Sequence, residues 1–210
     1  PAQNKVYKSA DGGQSWEELD TSLPGDSVSA LAVDPQQQGT LYIAARGRIF
    51  KSVDGGQTWT GLETGMRNIP IHALAVGAGG PRRLFAATGH GVYSNENLHN
   101  PALEKADFPL PDAEATAGSS TWTQSGIQAP VHDLVIAPSD PRVIYAVAGG
   151  KAAREALLSD LYKRAPDGRW GLVGSEVVSG YTQGGGIVSG FLMVDPHDSE
   201  TLYTDGVRRS

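Results

Sequence analysis

Residues 52–59 read SVDGGQTW, and residues 9–16 read SADGGQSW. Val53 replaces Ala10 and Thr58 replaces Ser15; the rest is identical. A chain that writes one glycine-rich octamer twice is repeating either a site or a structural part. Paired glycines suit a tight reversal between strands, because they accept positive φ without a Cβ clash. Asp11 and Asp54 are placed to accept hydrogen bonds from turn backbone N–H groups. Ser52 and Thr58 add hydroxyl partners, and Trp59 lays a large apolar surface over the turn. Ser9, Asp11, Gly13 and Trp16, with Ser52, Asp54, Gly56 and Trp59, therefore read as a structural clasp. In the functional alternative, Asp54 is a metal ligand or a catalytic acid.

Working outward, the octamers sit in a longer repeat. VSALAVDP (28–35), IHALAVGA (71–78), VHDLVIAP (131–138) and SGFLMVDP (189–196) align as first strands. TLYIAARG, RLFAATGH, VIYAVAGG and TLYTDGVR follow as second strands. RIFKS, GVYSN and DLYKR are third strands, and KVYKS at the N-terminus is another. Trp16, Trp59, Trp122 and Trp170 mark fourth strands. Four short strands in about 40–50 residues is the arithmetic of a β-propeller blade. The first strand is apolar on both faces, as an innermost strand packed between neighbouring blades would be. An α/β fold would need crossover helices, and the linking segments are too short and glycine-rich for them.

The expected fold is an all-β propeller of four-stranded antiparallel blades, at 28–62, 70–124, 130–174, and 187–210 with 1–19. KVYKS and GVRRS compete for one third-strand slot, which favours a partial propeller within a longer chain, with further blades outside these residues. The N-terminus lacks an initiator Met, a charged n-region and an apolar h-region, and reads like the interior of a chain.

Composition narrows the function classes. The 210 residues carry 17 Lys and Arg against 23 Asp and Glu, a net charge of −6. With no basic run beyond two residues, nucleic acid is not the expected partner. No apolar stretch reaches the roughly 18 residues of a membrane span. The absence of cysteine removes disulfides, thiolate nucleophiles and cysteine zinc sites together. Gly (27) and Pro (13) are plentiful, which suits many strands joined by turns.

The pattern S-x-D-G-G-x-[ST]-W between a third and a fourth strand resembles the Asp-box, or BNR repeat. That repeat occurs in sialidases, sortilin-type receptors, xyloglucan-degrading glycosidases and photosystem II assembly factors. LYIAARGRIFKSVDGGQTW (41–59) is most similar to the last two groups. The resemblance implies the propeller architecture and an extracytoplasmic location, periplasmic or extracellular. It leaves function open, because these families do different things. Relatives of the assembly-factor type imply a non-catalytic binding or assembly module that recognises a protein or polysaccharide through one face. The competing class is a glycoside hydrolase acting on a polysaccharide.

Elsewhere the clasp degrades. VYSNENL lacks the Asp, and an insertion (98–119) rich in Pro, Ala and acidic residues precedes Trp122, which reads as an irregular excursion. YKRAPDGRW keeps Asp167, Gly168 and Trp170 in a shortened turn. In a propeller the clasps lie on one face. The loops between strands 2 and 3, and from strand 4 to the next blade, share the other face, where binding is expected. Candidates there are Arg67 and Asn68 before a first strand, and His72 and His132 at equivalent positions of two blades. Tyr181 and Gln183 precede a Gly-Gly-Gly run where a ligand could approach the backbone. The bland alternatives are histidines filling a blade junction and a tyrosine covering a loop. AAREALL (152–158) is long enough for one or two helical turns on this face.

Enzyme signatures are thin. RNIP (67–70) echoes the sialidase Arg-Ile-Pro motif only with an inserted Asn. A glycosidase needs two carboxylates about 5–10 Å apart. Asp26, Asp133, Glu155 and Glu176 are the candidates near the right face, and their spacing singles out no pair. Two histidines without a third ligand do not make a metal site, and His90, His99 and His197 show no partnership. GxSxG and the P-loop are absent, and GGGIVSG lacks the strand–helix setting of a dinucleotide site. No cofactor is expected.

Overall fold

The computed structural model describes residues 5–19, 28–62, 66, 69–77, 83–95, 104–105, 122–153, 156–178 and 192–204. They form an all-β array. Strands β3 (Val28–Val33), β4 (Leu41–Ala45), β5 (Arg48–Ser52) and β6 (Thr60–Leu62) make the first complete blade. Strands β7 (Ile71–Gly77), β8 (Arg83–Thr88), β9 (Gly91–Asn95) and β11 (Trp122–Gln124) make the second. Strands β12 (Val131–Ile136), β13 (Ile144–Ala153), β14 (Ala156–Arg164) and β15 (Trp170–Val178) make the third. A two-stranded sheet stands on each side: β1 (Val6–Lys8) with β2 (Glu17–Leu19), and β16 (Leu192–Val194) with β17 (Leu202–Thr204). All neighbouring strands are antiparallel.

The blades stack face to face, and the core lies between them. Ala32, Tyr42, Ala44 and Ile49 of the first blade pack on Ile71, Leu74, Val76 and Leu84 of the second. Ala75, Phe85, Ala87 and Val92 of the second meet Val131, Leu134, Ile144 and Ala146 of the third. Small alanines on one blade face admit large aliphatic side chains from the next, which lets the sheets pack at interior density. Tyr145 and Val147 then pack on Leu192 and Val194. On the other side, Val6 and Leu19 cover Ile43, Ala45 and Phe50.

The innermost strands are apolar on both faces, but the first is not buried on both. Leu31 is 48% and Val33 58% exposed, whereas their counterparts Leu74 and Val76 are buried against the first blade. Among the described residues, β1 and β2 stand on that side, packed on β4, β5 and the Val28 end of β3.

Each octamer closes on itself through side-chain hydrogen bonds. Asp54 Oδ1 accepts the backbone N–H groups of Gln57 (2.9 Å) and Thr58 (2.9 Å) and the Ser52 hydroxyl (2.8 Å). Its Oδ2 accepts the Thr58 hydroxyl. Ser52 Oγ in turn accepts the Gly56 N–H at 2.9 Å. Ser9, Asp11, Gly13 and Ser15 repeat the pattern. Gly55 (φ 73°) and Gly56 (φ 94°) hold the left-handed backbone that the reversal requires. Trp59 is half-buried beside the Ile43–Phe50 cluster, but Trp16 is 64% exposed.

Two expectations are corrected. In place of the helical turns expected in AAREALL, β13 runs on to Ala153 and β14 starts at Ala156, with Ala153 opposite Ala156. The third blade also runs past the expected boundary at 174, because β15 continues to Val178 and pairs with Leu158. A seven-residue helix is marginal alone, whereas an existing hairpin gains a ladder hydrogen bond with each added pair. The third blade thus projects a three-stranded extension beyond the short turns of its neighbours. Within the insertion, Glu104–Lys105 forms β10, which pairs with β6 and adds a fifth strand to the first blade. That covers an edge that would otherwise expose unpaired backbone groups.

Candidate functional site

The innermost strand of each of the three complete blades begins with the same irregularity. Val28 faces Ala45 and Ala30 faces Ala44, so Ser29 is an extra residue. Ile71 faces Thr88 and Ala73 faces Ala87, so His72 is extra. Val131 faces Ala148 and Asp133 faces Val147, so His132 is extra. A bulge re-aims its side chain while keeping the following residues in register with the core. Three consecutive blades therefore present a polar side chain at one shared level, beside the turns that join second to third strands.

The imidazoles of His72 and His132 meet there, with ring centroids 5.9 Å apart and planes tilted by 50°. His72 is exposed and His132 partly buried. Gly149 makes room for the second ring, since a Cβ there would stand 3.2 Å from His132 Nε2. The Gly149 N–H donates to the Pro130 carbonyl at 2.6 Å, which fixes the strand entering the bulge. Burial pushes the His132 pKa down, and the neighbouring His72 charge adds to that effect. A neutral imidazole offers one donor and one acceptor nitrogen. Ser29 Oγ donates to the Ala44 carbonyl at 3.3 Å.

The adjacent carboxyl has a different task. Burial pushes the Asp133 pKa up, against hydrogen bonds from the backbone N–H groups of Leu134 and Leu192. It ties β12 to β16. The β8–β9 turn is also braced: Thr88 donates to the Gly91 carbonyl (2.8 Å), and Gln124 Nε2 donates to the His90 carbonyl (2.7 Å).

Of the sequence candidates, the structure brings His72 and His132 together. Arg67, Asn68, Tyr181 and Gln183 lie outside the described residues, as do Asp26 and Glu155, while Glu176 stands in β15. His90 sits in the turn between β8 and β9, and His197 in the turn between β16 and β17, where its Nδ1 is 3.8 Å from Asp195. Among the described residues, no group of three or more His, Cys, Asp or Glu side chains is arranged to hold a metal. None of the helices sought among them is long and apolar enough to cross a membrane. Ser29 was not singled out by sequence; its signal is that VSALAV places it where IHALAV places His72.

The turns formed by the two octamers lie at the opposite end of the blades. Hydrogen bonds from the Thr58 side chain and backbone, then from Ser52, hold the Asp54 carboxyl well below the ordinary range. The matching bonds from Ser15 and Ser9 lower Asp11 to about 2. These carboxylates are occupied in holding their own turns.

Comparison with known proteins agrees with this architecture. A family model described as the DUF6242 beta propeller domain matches residues 1–126. Comparison with curated proteins finds no match. Among solved structures, the chain is similar to the GH74 xyloglucanase from Xanthomonas campestris, with TM-score 0.57 and 18% identity over 94% of this chain and 30% of that one. It is similar to an ancestral GH74 enzyme, with TM-score 0.57 and 17% identity over 84% of this chain and 21% of that one. The chain thus spans under a third of either enzyme, and at these identities the likeness is one of fold.

Proposed function

The chain belongs to the DUF6242 β-propeller domain family, and from that premise we propose that it is a non-catalytic binding module, holding a protein or an extracellular polysaccharide against one propeller face. The observation that carries this reading is the pairing of His72 and His132 on equivalent bulges of adjacent blades. A bulge repeated in three blades sets a row of polar groups at one level, and Ser29 continues the row. A neutral imidazole and a hydroxyl each offer a donor and an acceptor, which suits the amides of a peptide or the hydroxyls of a sugar. The three-stranded extension of the third blade adds a wall beside the same face. The proposed setting is periplasmic or extracellular, where such polymers are found.

The test is binding to arrayed polysaccharides and peptides by the intact protein and by a His72→Gln/His132→Gln variant. The expected result is a ligand class bound by the parent and lost in the variant at unchanged melting temperature. Polysaccharide cleavage, with product release abolished by Asp133→Asn, would instead establish the glycosidase alternative.

A further inference from the structure

At the clasp end, a cleft of about 320 Å³ opens between the second and third blades. Three guanidinium groups line it: Arg83 from the start of β8, Arg142 from the turn before β13, and Arg164 from the end of β14. We propose that this cleft binds an oxyanion, a carboxylate or a tetrahedral phosphate or sulfate, between the three arginines. This site is separate from the histidine face and independent of its function.

The repeat shows why the cleft exists here. Ser52 pairs with Leu41 at the base of the intact clasp, and in the third blade Arg164 pairs with Ile144 at the corresponding position. Arg164 therefore stands where the clasp serine would be. The turn that follows does without that serine. The Ala165 N–H donates to the Arg169 carbonyl (2.9 Å), the Gly168 N–H donates to the Ala165 carbonyl (2.9 Å), and Asp167 accepts the Arg169 N–H (3.0 Å). The residue that closes the turn elsewhere is thereby replaced by one that faces the neighbouring blade.

The surroundings position these groups. The Arg164 guanidinium carbon lies over the Phe85 ring, 5.2 Å from its centroid, which holds the side chain against the second blade. Gly168 lets it lie against the turn, since a Cβ there would come within 3.1 Å of Arg164 Nη2. Arg142 is fixed by Asp140, with Nε and Nη2 each donating at 2.8 Å. A guanidinium has five N–H donors, so that fork leaves three for another acceptor. Gly77 keeps the floor open; a Cβ there would press to 3.0 Å on Phe85. Asp167 also lines the cleft, where it faces Arg169 at 4.0 Å. Three arginines gather at this cleft on a chain of net charge −6, with the Asp140 and Asp167 carboxylates beside them. Arginine forks match oxyanion geometry, and the cleft is at the small end of ligand-site volumes.

The experiment is calorimetric or NMR titration of the intact protein with succinate, phosphate and sulfate, each at constant ionic strength in chloride. Succinate reports a planar carboxylate, and the other two report tetrahedral oxyanions. Saturable binding of at least one is expected. Arg164→Ser, which restores the intact-clasp residue, and Arg83→Gln should each weaken it by about tenfold or more. Arg83→Lys tests the same group with its charge kept, and should also lose affinity because the fork is gone. His72→Gln/His132→Gln should leave the titration unchanged. No saturable binding of any of the three anions, or parental affinity in both Arg164→Ser and Arg83→Gln, would overturn the proposal.

Discussion

His72 and His132, far apart in sequence, hold their imidazole rings 5.9 Å apart because each is the extra residue of a bulge at the start of an innermost strand. Residues before and after each bulge keep their core register. Ile71 and Val131 are both fully buried while the histidines reach the surface. Replacing either histidine with Gln should therefore alter the face and spare the core. The expected change in melting temperature is under about 2 °C by differential scanning calorimetry.

His132 also makes stability depend on pH. Its folded pKa is below the unfolded value of 6.5, because burial and then the His72 charge disfavour the imidazolium. The unfolded chain then binds more protons between the folded pKa and 6.5, so stability rises with pH across that window. The contribution is complete above about pH 6.5 and is lost as pH falls through the folded pKa. Urea midpoints between pH 5 and 7.5 should show this slope in the parent and a shallower one in His132→Gln.

Asp54→Asn should destabilise the first blade without touching the histidine face. The amide cannot accept the Thr58 hydroxyl, the Ser52 hydroxyl and two backbone N–H groups as the carboxylate does. A melting temperature lower by about 2–4 °C is expected. Because the Asp11 and Asp54 carboxyls are held below their ordinary pKa, the clasps' contribution is present above about pH 4. It falls away as pH drops toward about 2, so the Asp54→Asn difference should shrink in acid.

Two glycines in one hairpin should respond in opposite ways. Gly91 has φ 122°, and a Cβ there would stand 2.0 Å from the Ile127 carbonyl oxygen, a backbone atom that cannot swing aside. Gly89 has open space around its Cβ position and no positive φ. Gly91→Ala should cost about 2–4 kcal/mol, and Gly89→Ala about 0.5 kcal/mol or less. Chemical denaturation of the two variants checks the contrast.

The blades were legible because their determinants are local. SVDGGQTW encodes its own turn, and the apolar first strands mark the core wherever they recur. The third-blade extension was not legible, because AAREALL has helix-forming residues and only the ladder around it makes it a strand. The approach of His72 to His132 was visible as equivalence in the repeat but not as contact, since a bulge cannot be read from alternation alone. The arginine cleft was hidden for another reason. Arg83 and Arg164 come from two strand ends and Arg142 from a turn, and only the stacking of two blades brings them to one cleft. One sign of it stood in the repeat: DLYKR ends in Arg where RIFKS ends in Ser.

The most direct test separates the two ends of the blades within one titration. The affinity of the intact protein for its array-selected peptide or polysaccharide is measured beside those of Asp54→Asn and His72→Gln/His132→Gln, with melting temperatures recorded for all three. Expected are parental affinity with a lowered melting temperature in Asp54→Asn, and at least about tenfold weaker binding at parental melting temperature in the histidine variant. Lost binding at unchanged stability in Asp54→Asn, with full binding in the histidine variant, would contradict the assignment of the histidine face.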